Sequence, residues 1–296
     1  MPPIDFNAEK YVKDSVVLER TVSRGMLPNS AKVFRDDNPI HLDENYAKAN
    51  GFDTTPVHGA LMQSYFDLCA MQNGFMLAGS RFNMENAAYP DTLMKFRLEG
   101  FSDEIYEHPQ FVCEDDKGNI LGRLNGRSVE NAVLGSPVKI KDKWPLVGSY
   151  SHTITEDDVD DFKQLIGIEE TETRSASRIE PSVPRALLFS LIPSSLLNLA
   201  RNDKGNPVGV FKKMYPTFYR EAKVGDFEVD VYMQRARASK DGYAYTFMTV
   251  CRQDGLNDTE KEIFGDSKVI ASGKASVASP VKVEIPKLKV TSQATS

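Results

Sequence analysis

Two segments of this chain are apolar on every side at helical spacing, and a helix without a polar face must be enclosed by other protein. In the first, Val57, Ala60, Leu61, Tyr65, Leu68 and Met71 recur with the helical period. Met62, Phe66 and Ala70 make the opposite side apolar too. The second, residues 185–201, is similarly rich in Leu, Phe and Ile, and Pro193 is expected to bend it or mark an end. Such helices need a covering layer, and strand patterns follow both. Residues 92–98, 110–113 and 120–124 succeed the first helix, and residues 226–233, 243–251 and 269–277 succeed the second. Several alternate polar and apolar side chains, as strands with one buried face do. Asp116-Lys-Gly and Lys240-Asp-Gly supply hairpin turns.

The order of helix then strands thus occurs twice, although the halves share little literal sequence. A chain of 296 residues has room for about two domains of ~150 residues. Residues 133–150, with Gly135, Pro137, Gly148 and several lysines, read as a linker or crossover. Beyond them Thr155 can cap a helix whose first turn is acidic. The expected division is residues 1–138, residues 146–283 and a flexible tail over 284–296.

Composition narrows the function classes. Lys and Arg number 36 against 42 Asp and Glu, a net charge of −6. This balance argues against a protein that holds nucleic acid by non-specific phosphate attraction. No apolar run is long enough for a transmembrane helix. The start, Met1-Pro-Pro-Ile-Asp-Phe, lacks a secretory pattern, and the end, Ser292-Gln-Ala-Thr-Ser296, is not a usual peroxisomal tripeptide. A soluble protein of the cell interior, cytoplasmic by default, is expected. Cys69, Cys113 and Cys251 are far apart and odd in number, so they read as packing residues in a reducing compartment.

The chemistry is concentrated in Asp36-Asp-Asn-Pro-Ile-His41-Leu-Asp43, followed by Pro56-Val-His-Gly59. Asn38-Pro39 should stop an incoming helix, because a residue before proline is driven out of the helical region. Asp36 and His41 would then flank a compact turn, with Asp43 capping a short helix that ends near Gly51. An acid and an imidazole are thereby placed where both can approach one ligand atom. Zinc ligand spacings are missing, Ser64 has no nucleophile elbow around it, and no phosphate loop is present. No metal or cofactor is expected.

Asp36-x-Asn38-Pro39-Ile40-His41, with Pro56-Val57-His58-Gly59 at the start of a buried helix, resembles the hydratase-2 motif of the MaoC-like (R)-specific enoyl-CoA hydratases. Lys223-Val-Gly-Asp226, leading into alternating strand residues, adds to the likeness. The motif covers most of residues 15–130, and the likeness over 150–280 rests on element order. The family's usual glycine before the aspartate is Arg35 here. The resemblance implies a tandem (double) hot-dog fold of the α+β class, each half an antiparallel sheet around a central helix. It implies that Asp36 and His41 form the acid/base pair and that the Gly59 N–H stabilises an oxyanion. Asn38 would orient Asp36 or the thioester, or merely form the turn, and His58 would support by hydrogen bonding. Asp37 and Asp43 would serve solvent or capping roles, and Ser64 close helix packing. The second half, lacking the motif, would be non-catalytic and shape the acyl tunnel. The implied partner is an acyl-CoA or carrier-bound acyl thioester, with neither nucleic acid nor membrane, and a homodimer of such chains is possible. Lys95, Arg97, Arg123 and Arg127 are ordinary strand residues on this reading and are not assigned to the coenzyme phosphates.

Overall fold

The computed structural model describes residues 16–73, 75–99, 108–128, 138–168, 183–199, 210–239, 242–254 and 268–279. Ten strands form one antiparallel sheet among these residues. Those of the first half are β1 (Val16–Thr21), β2 (Leu77–Met84), β3 (Leu93–Leu98), β4 (Gln110–Glu114) and β5 (Ile120–Ser128). Those of the second are β6 (Leu146–Ile154), β7 (Val210–Phe218), β8 (Gly225–Ser239), β9 (Gly242–Arg252) and β10 (Val269–Ser279). Their spatial order, β1-β3-β4-β5-β2-β7-β10-β9-β8-β6, reads the same from either edge when each strand is counted within its own half. The halves join where β2 pairs with β7, through Gly79↔Thr217, Phe82↔Met214 and Asn83↔Lys213.

Five α-helices among the described residues accompany the sheet: α1 (Met26–Phe34), α2 (Glu44–Ala49), α3 (Gly59–Gln72), α4 (Glu156–Ile166) and α5 (Arg185–Leu199). The enclosed helices are α3 and α5. On α3 everything from Ala60 to Phe66 is buried, and Phe66 meets Phe82 of β2 and Phe96 of β3 edge to face. Burying a Leu, Phe or Met contributes roughly 1.5–3 kcal/mol, while helix preferences among ordinary residues differ by at most ~0.7 kcal/mol. Burial, not propensity, therefore holds α3 in place. Met71, expected on the buried face, is exposed, although Cys69 and Ala70 beside it are buried. In the second half α5 runs through Pro193 without ending there. Thr155 caps α4 in a reciprocal box with Asp158.

Three readings need correction or completion. The expected linker overlaps β6, because residues 146–150 pair with β8. Gly148 looks like loop punctuation in the sequence, but a Cβ there would fall 2.6 Å from the ring of Tyr150, so the small residue makes room for its neighbour. Strand β7 carries Pro216, usually a mark against a central strand. It is tolerated because the β2 ladder skips that position. The Asp116 turn forms, with the Asp115 carboxylate accepting from the N–H groups of Lys117 and Asn119. Lys240 and Asp241 of the other turn, residues 133–137 and the tail 284–296 lie outside the described residues. No helix among the described residues is long and apolar enough to cross a membrane. All three cysteines are unpaired and buried, and burial pushes the Cys69 and Cys251 thiols up to about 12.

Candidate active site

Helix α1 ends at Arg35, whose φ of 53° is left-handed. That reversal sends the chain into Asp36, and the Asp36 N–H closes the turn on Ala31 O at 3.0 Å. Pro39 then opens a single 3-10 turn, Pro39–His41, capped by the Asn38 side chain, which accepts from the Ile40 N–H at 3.2 Å. The Asn38 N–H donates in turn to Asp36 Oδ1 at 3.2 Å. Asn38 thus builds the turn with its side chain and orients the carboxylate with its backbone. Asp43 caps α2 by accepting from Asn45 and Tyr46.

The turn delivers His41 against Asp36, with Nε2 3.7 Å from Oδ2 and both residues buried. His41 Nδ1 lies 2.8 Å from Pro56 O. A carbonyl only accepts, so Nδ1 carries a hydrogen and Nε2 is the ring nitrogen that faces the carboxyl. Burial pushes the Asp36 carboxyl above its usual range, and Asp37 adds to this. His41 and the Asn38 N–H pull the other way. The arrangement sets an imidazole nitrogen and a buried carboxyl side by side, 3.7 Å apart.

His58 stacks on His41, with ring centroids 3.9 Å apart and planes 26° from parallel. Its Nε2 lies 3.4 Å from Asp36 O, and its buried Nδ1 has no hydrogen-bond partner. Burial first, then His41, holds His58 well below the usual imidazole range, so it is neutral. One ligand atom from each of Asp36, His41 and His58 falls within 4.8 Å of the others. Nearly parallel rings send their in-plane lone pairs side by side, however. A zinc centre needs them converging on one point at ~2.0–2.1 Å. The arrangement suits proton transfer better than metal binding.

Pro56 and Val57 lead into α3, and Val57 N–H is fixed on Ala88 O at 2.8 Å. Gly59 and Ala60 are the first two helical residues, and their N–H groups precede the first possible intrahelical acceptor. The His58 side chain does not cap them. Both residues, with Asp36, Asn38 and His41, line a cavity of about 130 Å³. His58 does not line it. Ser64 binds back to Ala60 O at 2.8 Å inside α3, a packing role. Met62, Met84, Pro193, Phe211 and Met214 also line the cavity. The last three belong to α5 and β7 of the second half, and no local sequence pattern announces them.

Arg35 crosses between halves. Its guanidinium donates to Thr153 O and reaches Asp158 Oδ2 at 3.3 Å, beside the Lys32–Asp161 ion pair at 2.8 Å. A left-handed conformation costs a side-chain-bearing residue roughly 1–2 kcal/mol, which this clamp offsets. Arg35→Ala should therefore be less stable than wild type, and Arg35→Gly should recover about 1–2 kcal/mol over alanine by relieving the backbone. Urea midpoints of the three proteins check this, and equal midpoints for glycine and alanine would contradict a strained Arg35. Of the strand cations, Arg97 pairs with Glu114 at 2.6 Å, and Arg123 pairs with Glu85 and Glu99. The second half's histidine, His152, faces Ser195 Oγ at 2.9 Å, and that hydroxyl donates to Leu191 O. Burial, with Arg35 nearby, lowers His152 to about 4.

No family model matches the sequence, and no curated protein matches it. Solved structures do. A protein assigned as a MaoC domain dehydratase from Chloroflexus aurantiacus superposes over 93% of this chain and 97% of its own, with a TM-score of 0.64 at 12% identity. A conserved hypothetical protein from Mycobacterium tuberculosis with a double hotdog fold covers 91% and 97%, with a TM-score of 0.62 at 10% identity. The fold is a double hot dog. Peroxisomal multifunctional enzyme type 2 from Drosophila melanogaster contains a comparable region, covering 88% of this chain and 48% of that one, with a TM-score of 0.53 at 12% identity. At these identities the likeness is one of architecture. Within a double hot dog, the palindromic strand order is that of two like units side by side, one of which here carries the Asp36 turn.

Proposed function

We propose that this double hot dog is a hydro-lyase of acyl thioesters, adding water to a trans-2-enoyl thioester or removing it from the (R)-3-hydroxyacyl product. The observation that carries the reading is the 3.7 Å approach of Asp36 Oδ2 and His41 Nε2 beside the uncapped amino terminus of α3. Hydration needs one proton removed from water and one delivered to the α-carbon. A carboxyl and an imidazole set side by side can do both, one as base and one as acid. The hydroxyl oxygen bonds the β-carbon, the carbon–carbon double bond becomes an enolate, and the α-carbon then takes the proton. Negative charge passes through the thioester oxygen, where the Gly59 N–H, helped by the helix dipole, is aimed to receive it.

Asn38 and His58 serve this pair as positioning residues, the first through Asp36 Oδ1 and the second through its stack on His41. Residues 146–283 act as the non-catalytic half, since His152 meets a hydroxyl and not a carboxylate. The handle on the substrate is coenzyme A or a carrier-bound pantetheine. The chemistry is reversible, so a dehydratase role is the same site run backward.

Stereochemistry tests the reading. With both groups on one side of the enoyl plane, hydroxyl and proton should arrive on the same face. Hydration in deuterated water, with product coupled to (R)- or (S)-specific dehydrogenases, is expected to give the (R) alcohol by syn addition. An (S) product or anti addition would contradict the placement of both groups on one side of the substrate even if turnover were high.

A further inference from the structure

Three of the side chains lining the cavity are thioethers, drawn from both halves. Met62 of α3 and Met214 of β7 are buried, and Met84 of β2 is partly buried. Met62 stands three residues beyond Gly59, on the same face of α3, below the helix amino terminus. The wall begins at the carbonyl-binding point itself. A Cβ added to Gly59 would lie 3.1 Å from Met84 Sδ. Met214 lies on β7 at the position paired with Phe82, so the second half supplies part of the wall from across the β2–β7 seam.

The pocket is open on one side, and the space between its walls is small. A dry cavity of ~150 Å³ accommodates a benzene ring, and this one is about 130 Å³. Resting on the hydro-lyase reading, we propose that the acyl group taken by this site is short, roughly four to six carbons by that comparison. The limit is set by Met62, Met84 and Met214. Methionine suits the role because its unbranched thioether fills an irregular gap against a bound chain. Replacing one by alanine removes about three heavy atoms, comparable with lengthening the acyl chain by two or three carbons.

The test is a series of trans-2-enoyl-CoAs from about four to sixteen carbons, read as kcat/KM. Calorimetric affinity for the saturated acyl-CoAs of the same lengths accompanies it. Both should be highest at the short end and fall at least ~10-fold by about twelve carbons. Met214→Ala and Met84→Ala should each move the optimum longer by about two carbons. A wild-type optimum at about ten carbons or more would overturn the proposal while leaving the hydro-lyase reading intact. Tighter binding of short than long saturated acyl-CoAs, with no hydration at any length, would support the short-acyl site and sink the hydro-lyase reading. Absence of binding at every length would sink both. An unchanged optimum in folded variants would remove the methionines from the role. Should an alanine variant fail to fold, Met214→Val makes the smaller version of the same change, and the wild-type series decides the length limit without any variant.

Discussion

Asp36→Asn and His41→Ala are each expected to lower turnover by ~10²–10⁴ on the proper thioester, the range for loss of a positioned acid or base. The two should differ in stability. A buried carboxyl held above its usual range binds its proton more tightly in the folded state than in the unfolded one. Its contribution to stability is therefore present below the unfolded carboxylate range and lost as pH rises through the raised folded value. An asparagine at this position does not titrate and carries no such loss. Relative to wild type, Asp36→Asn should thus gain resistance to urea as pH rises above the ordinary carboxylate range. His41→Ala removes a ring that stacks on His58 and bonds Pro56 O, so it should lose stability. Steady-state rates and urea midpoints, read well below and well above the ordinary carboxylate range, measure both effects. Near-normal turnover in either variant would refute the pairing. Asp37, exposed beside Asp36, is the control: Asp37→Asn should leave the rate within a few-fold, and a large loss there would mean that the neighbouring carboxylate is the working one.

Much of this architecture was legible because it follows from short-range rules. The all-round apolar patterns at 57–72 and 185–201 predicted enclosed helices, and α3 and α5 occupy those places. The Asp43 cap and the Thr155 cap are local, and each forms, whereas the incoming helix, expected to stop at Asn38-Pro39, already ends at Phe34 where Arg35 turns left-handed. Strands β1, β2, β6 and β7 were not read. Each is short, or is interrupted by Gly79, Gly148 or Pro216, and its burial depends on a partner far away in sequence. The motif residues Asp36, Asn38, His41 and Gly59 do come together around one cavity. Its far wall could not be read, because Pro193, Phe211 and Met214 are ordinary apolar residues until the β2–β7 pairing brings them there. The stack of His58 on His41 was equally invisible. Seventeen positions separate them, with helix α2 in between.

Gly59→Val is expected to lower kcat/KM by ~10²–10³, the scale of a lost oxyanion-hole donor. The backbone N–H survives the substitution, so the loss must come from approach: a branched side chain at the helix start would stand where the thioester meets the backbone. A competing cause has to be separated. Any Cβ at this position lies 3.1 Å from Met84 Sδ and 3.3 Å from Met84 Cε, so the methionine must shift to admit it. The displaced thioether could itself crowd the cavity. Combining Gly59→Val with Met84→Ala distinguishes the two, because the alanine removes the crowded group while leaving the valine against the thioester. If obstruction of the carbonyl is the cause, the double variant should stay as slow as Gly59→Val alone. Recovery of activity in the double variant would show that Met84, and not the path to the Gly59 N–H, carried the effect. Gly59→Ala should fall between wild type and valine, since a single methyl asks Met84 to give by only a few tenths of an ångström. Equal activity of wild type, Gly59→Ala and Gly59→Val would remove the α3 amino terminus from the chemistry altogether.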